Sequence, residues 1–112
     1  MTDEKRTATR INVKWPIKLL RKDKTYVEGT VRNVSASGFN VDTRNYVISE
    51  NETVMIETSF FFKNKPYKIH AIAKVIFKTI HAGGQDYNYG LKVIQMKDVD
   101  QELLLSIIKN KT

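Results

Sequence analysis

The sequence contains no cysteine. That absence excludes a disulfide framework, a thiol nucleophile and any zinc site built on thiolates. It accords with a chain that works in the cytoplasm. Histidine is almost as scarce, with only His70 and His81 in the chain. Their separation fits no compact ligand motif on a helix or loop, so no metal centre is expected. No apolar run approaches the length of a membrane-spanning helix. The stretch Met1 to Arg10 is polar and charged, without the apolar core of a secretory signal. Internal repeats and low-complexity segments are also missing. With no thiol, no metal-ligand cluster and no evident Ser/His/Asp order, the chain does not read as an enzyme.

What is present describes a folded protein of ordinary size. The 112 residues suit one domain, and a core is feasible at this length without covalent staples. Apolar residues make up 41% and charged residues 28%, which excludes a disordered chain. The net charge is +7, and it is unevenly placed. Residues 1–32 hold nine basic and four acidic side chains, and the rest is near balance. An anionic partner is therefore expected near the N-terminal third. Charge counting alone fits a solvated basic face equally well.

Alternation with period two dominates. Ile11, Val13, Trp15, Ile17 and Leu19 share one face of a first strand, and Trp15 reads as core rather than as a ligand platform. Pro16 cannot donate a ladder hydrogen bond and marks an edge or a bend. Val27, Gly29 and Val31 give a second strand, and Phe39, Val41 and Thr43 open a third. Residues 33–38 between them read as a turn. Asn45 to Thr53 is a polar connection with an apolar patch at Val47 and Ile48. Val54, Ile56, Thr58, Phe60 and Phe62 form a fourth strand with Phe61 turned outward. A hairpin loop at Lys63 to Pro66 leads to a fifth strand through Tyr67, Ile69, Ala71, Ala73, Val75 and Phe77. A second hairpin turn over His81 to Asn88 precedes a sixth strand with Tyr89, Leu91 and Val93. The period then changes. Val99, Leu103, Leu104, Ile107 and Ile108 make the stripe of an amphipathic helix. Asp98 is the expected N-cap, with Gln101 completing a capping box, and Lys109 and Lys111 suit the C-terminal dipole. The reading is an all-β chain: a six-stranded antiparallel β-barrel over 11–96, a C-terminal helix over 98–110 and a flexible N-terminal arm over 1–10.

Two short patterns carry chemistry. Arg6 and Arg10 stand four apart on the arm, and Asn33, Ser35 and Gly38 stand at the turn after the second strand. Each alone is common in a chain of this composition, and the second alone would read as a plain Asx turn. Arginine offers a planar fork that matches phosphate oxygens or the O6/N7 edge of guanine and can stack on a base. An Asn amide can accept from a guanine N–H and donate to an acceptor. Gly38 allows a positive φ or a close approach to the main chain. Ser35 can hold the turn or bond a ligand.

Together these residues resemble the PilZ domain family, whose signature is Arg-x-x-x-Arg followed by Asp/Asn-x-Ser-x-x-Gly. The resemblance continues through Pro16, through Tyr89-Gly90-Leu91-Lys92-Val93, and into the terminal helix. Asn33 stands where Asp is more common, and Val93 where Phe is usual. The resemblance implies a non-catalytic bacterial receptor for cyclic di-GMP, a dianionic messenger with two guanines, and no cofactor. It implies that Arg6 and Arg10 grip phosphate and guanine while Asn33, Ser35 and Gly38 shape the guanine site. Lys5 and Ser37 are candidate auxiliaries. The arm is expected to close over the ligand and present a new surface to a downstream protein. Two alternatives remain. A small basic barrel could bind single-stranded nucleic acid, but the aromatics fall mostly on the inward register. A PilZ-like adaptor could have lost the nucleotide and kept only protein contacts.

Overall fold

Strict alternation is realised as a barrel wall. The computed structural model describes residues 9–44, 47–81 and 86–111. Among the described residues six antiparallel strands, β1 (Ile11–Leu20), β2 (Tyr26–Val34), β3 (Gly38–Arg44), β4 (Thr53–Phe62), β5 (Lys65–Ile80) and β6 (Asp86–Met96), precede one helix, α1 (Asp98–Lys111). The strands close into a barrel in the order β1-β2-β3-β6-β5-β4. Closure leaves each strand with two neighbours and removes most free edges. The inward positions are those that alternation selects: Ile17, Leu19, Val27, Val31, Phe39, Val41, Ile56, Ile69, Val75 and Leu91 are all buried. Fully burying one such side chain contributes about 1.5–3 kcal/mol. Leu104, Ile107 and Ile108 of α1 join the same core.

The turns follow local chemistry. Lys63 and Asn64 both have positive φ (53° and 67°), which fits a two-residue primed turn between β4 and β5. The loop is therefore tighter than the Lys63–Pro66 expectation, and Lys65 and Pro66 already belong to β5. After β1, the Arg21 carbonyl accepts from Lys24 N–H and Asp23 Oδ1 accepts from both Thr25 N–H and Oγ1–H. In the β3–β4 connection, Ile48 is fully buried and its N–H donates to the Tyr89 hydroxyl at 2.8 Å. Val47, its expected apolar companion, is half exposed.

Five further expectations are corrected. Asn33 and Val34 end β2, so the turn is only Ser35–Ser37, and Gly38 opens β3. Phe77 does not point inward. A bulge between Val75 and Phe77 against β6 resets the alternation and leaves Ile76 and Phe77 outside. Val99 is 67% exposed, so the buried stripe of α1 begins later than the spacing suggests. The Lys97 carbonyl accepts from Gln101 N–H, so Lys97 is the cap position and Asp98 lies inside the first turn. There Asp98 and Asp100 still complement the helix dipole, and Asp100 Oδ2 accepts from His70 N–H at 3.2 Å. The turn before β6 is shorter than expected, since β6 starts at Asp86. Gly83 and Gly84 lie outside the described residues.

Candidate functional site

Three of the sequence-selected residues meet at one corner of the barrel surface. Arg10, the residue before β1, donates from Nη1 to Asn33 Oδ1 at 2.8 Å. Its Nη2 lies 3.8 Å from where a Cβ on Gly38 would stand. Arg10 therefore rests on the barrel, with its remaining N–H groups available. Arg6 and Lys5, the other arm candidates, lie outside the described residues.

The backbone explains why these positions converge. Asn33 pairs with Asn12 of β1 on one side and Asn40 of β3 on the other. A register shift between Val31 and Asn33 turns both Asn33 and Arg32 towards the outer surface. Gly38 has no positive φ, so the turn does not need glycine for its dihedral. Its requirement is steric: a Cβ there would stand 2.5 Å from the Leu91 carbonyl oxygen of β6. Neither backbone can give way inside a paired ladder.

Ser35 is buried. Its N–H donates to the Gly38 carbonyl at 2.9 Å, and its Oγ accepts from Ser37 N–H at 3.3 Å. Its role is to hold the turn. Ser37 is exposed, and its carbonyl accepts from Val93 N–H at 2.9 Å, tying the turn to β6. Val93 is half-buried against the core, as a packing position would be.

Register brings in residues that the linear motifs do not contain. Asn40 pairs with Gly90, and Gly90 with Phe77, so a row runs outward from Asn33 across β3 and β6 to β5. The Phe77 ring occupies the space where a Gly90 side chain would be. Gly38 pairs with Lys92, an exposed lysine. In the next row, Asn40 and Asn88 exchange amide hydrogen bonds at 3.0 and 2.8 Å. Asn88 Nδ2 also donates to Asp42 Oδ1 at 2.7 Å, and Arg32 pairs with Asp42 Oδ2 at 2.7 Å. Burial opposes ionisation of Asp42, but Asn88 and Arg32 outweigh it and hold the carboxyl below its ordinary value. Sequence reading missed Asn40, Asn88 and Lys92. The outward alternation of Lys92 between Leu91 and Val93 was visible, but its position opposite Gly38 was not.

The face is an open platform, with a cationic fork at one end, Lys92 beside it, Gly38 bare of a side chain and the Phe77 ring lying over Gly90. Among the described residues no cluster of His, Asp and Glu could hold a metal ion, and no helix is long and apolar enough to cross a membrane.

The fold is shared with solved structures of low sequence identity. The Bacillus subtilis inhibitor of motility MotI/DgrA superposes with a TM-score of 0.82 at 14% identity, over 93% of this chain and 49% of that one. The PilZ domain of Escherichia coli YcgR, solved with c-di-GMP, gives 0.71 at 14% identity over 96% and 91%. The Klebsiella pneumoniae MrkH–c-di-GMP complex gives 0.67 at 10% identity over 93% and 51%. The chain thus spans about half the length of MotI and of MrkH, and nearly all of the YcgR domain. At these identities the likeness is one of fold. No curated protein sequence matches the chain. The family model described as the PilZ domain, however, matches residues 4–110. That match covers both arginines, the Asn33–Gly38 turn, all six strands and nearly all of the helix, and the chain belongs to the PilZ domain family.

Proposed function

We propose that the chain is a non-catalytic receptor module for cyclic di-GMP in bacterial signalling, and that it acts in the cytoplasm. The observation that carries this reading is the Arg10 guanidinium seated 2.8 Å from Asn33 and beside Gly38, on the face that the family motif selects. Two of the fold's relatives, the YcgR PilZ domain and MrkH, were solved with c-di-GMP.

In this reading Arg10 offers its free N–H groups to a phosphate or to the guanine O6/N7 edge, and Asn33 keeps its amide N–H₂ for an acceptor. Gly38 lets the ligand lie close to the backbone, while Ser35 keeps the turn in shape. Ser37 and Lys5 are auxiliary polar contacts, and Lys92, across from Gly38, adds a positive charge beside them. Arg10 is already docked, so closure of the arm on binding concerns Arg6 and Lys5. Contacts from them would add charge-assisted hydrogen bonds to phosphate.

The test is calorimetric titration with cyclic di-GMP of the wild type and of Arg6→Ala and Arg10→Ala. Each substitution is expected to weaken binding about a hundredfold, near 3 kcal/mol, without changing the melting temperature. Unchanged affinity in both variants sinks the reading. A salt dependence as steep as that of a multi-phosphate polymer favours the single-strand alternative instead. Failure of the wild type to bind leaves the adaptor.

A further inference from the structure

The barrel wall is uneven on the other edge of β1. β4 pairs with β5 from Thr53↔Lys74 to Phe62↔Lys65. It pairs with β1 only from Met55↔Leu20 to Thr58↔Ile17. Residues 59–62 of β4 therefore have a strand neighbour on one side only. The last tie across this seam is Thr58 Oγ1 donating to the Pro16 carbonyl at 2.8 Å. Beyond it the two strands diverge, and the Trp15 ring stacks on Phe60 with centroids 4.2 Å apart. A groove of about 570 Å³ opens at the gap, with Lys14–Pro16 on one bank, Ser59–Phe61 on the other and Pro66–Lys68 of β5 behind the β4 bank.

The two banks differ chemically. Pro16 has no N–H, so β1 is a poor template for a further strand. The β4 bank keeps alternate N–H and C=O groups of residues 59–62 turned towards the groove, which is the arrangement that accepts an added strand. Phe61 stands beside it, 76% exposed. Lys14 lines the groove, and Lys63 and Lys65 stand at the β4–β5 turn just past residue 62; among the described residues none of the three pairs with a carboxylate. Lys68 is already taken by Glu57 at 3.1 Å.

We infer that the β1/β4 seam is a docking site for an extended acidic segment of a partner protein, which adds as a strand to residues 59–62 and covers Phe61 with an apolar side chain. Charge selects this occupant. A second copy of the chain paired edge to edge would bring a second set of Lys14, Lys63 and Lys65 to the same seam, where residues 59–65 carry no acidic side chain to offset them, which is unfavourable. A lipid surface would meet the lysines but leave the directional backbone groups in the groove without strand partners. An acidic strand satisfies both. The seam lies across β1 from Asn33, so this proposal stands apart from the nucleotide reading.

A phage-displayed library of peptides about ten residues long, panned against the full chain, tests it. Acidic peptides carrying an aromatic or branched apolar residue are expected. One of them, synthesised, should slow amide exchange at residues 59–62. It should bind the Phe61→Ser/Lys65→Glu double variant at least about tenfold more weakly. Both positions are exposed, so the variant should melt with the wild type. The inference is overturned by a library that yields no enrichment, by peptides without acidic residues, or by equal binding to the double variant. It is equally overturned if, with no peptide bound, the chain cosediments with phosphatidylglycerol vesicles through Phe61, or if residues 59–62 become protected by dimerisation at high concentration.

Discussion

The two edges of β1 close the barrel by different means. Towards β2, β3 and β6 the wall is held by backbones in direct contact: Gly38 lies against the Leu91 carbonyl, and the Ser35–Ser37 turn is tied to Val93. Towards β4 the wall is held at one end only. There Arg21 forks onto Glu52 at 2.8 and 3.1 Å, just beyond the Leu20↔Met55 pair. At the other end side chains replace the ladder, with Trp15 on Phe60 and Tyr67 behind, its centroid 6.1 Å from Phe60. Backbone closure gives a surface of fixed shape, suited to reading a small rigid ligand. Side-chain closure gives a groove whose walls can adjust.

That contrast can be broken by substitution. Trp15→Ala removes the filler of the seam and should cost about 3 kcal/mol in urea unfolding, the lower end for a large aromatic because the ring is only half-buried. Cyclic di-GMP affinity should be unchanged in the same variant; a parallel loss of affinity would mean that the two edges are not independent. Gly38→Ala should cost about 2 kcal/mol, because the new methyl meets a carbonyl rather than a movable side chain. Here affinity should fall together with stability, and a stable variant that binds normally would remove Gly38 from the site.

A smaller effect sharpens the reading of the polar face. Asn33→Asp places a carboxylate where Arg10 already docks and where a guanine edge could donate twice. Binding should tighten about tenfold by calorimetry. An unaltered affinity would mean that position 33 does not touch the base.

The smallest effect concerns the closed end of the seam. The Arg21 hydrogen bonds, against an opposing effect of burial, hold Glu52 below its ordinary value of 4.5. A carboxyl lowered in the folded state contributes stability that is complete above its unfolded value and is lost as pH falls through the folded one. The wild type should therefore lose about 1 kcal/mol from this pair between about pH 5 and pH 3. Arg21→Met should lose less over the same interval in pH-dependent urea melts.

The strands were legible because each has one dry face, and a period of two survives wherever the pairing is regular. Phe77 was misread for the same reason: a bulge shifts the phase, and nothing in Val75-Ile76-Phe77 marks it. The helix was found by its change of period, while Val99 shows that a stripe can start before the core reaches it. Gly38 was singled out for its backbone freedom, whereas the structure requires glycine there because of a neighbour that the linear sequence does not reveal, the Leu91 carbonyl.

The sequence by itself determined the class of fold and the motif that selects one face, because alternation and a fixed spacing of arginine, asparagine and glycine are properties of a single chain segment. Only the tertiary structure decided that Arg10 sits on Asn33, that Lys92 stands opposite Gly38, and that β1 and β4 part beyond the Ile17↔Thr58 pair. Those facts depend on register between segments distant along the chain, and a shift of one residue would leave every local pattern intact while moving every outward side chain to the inner face.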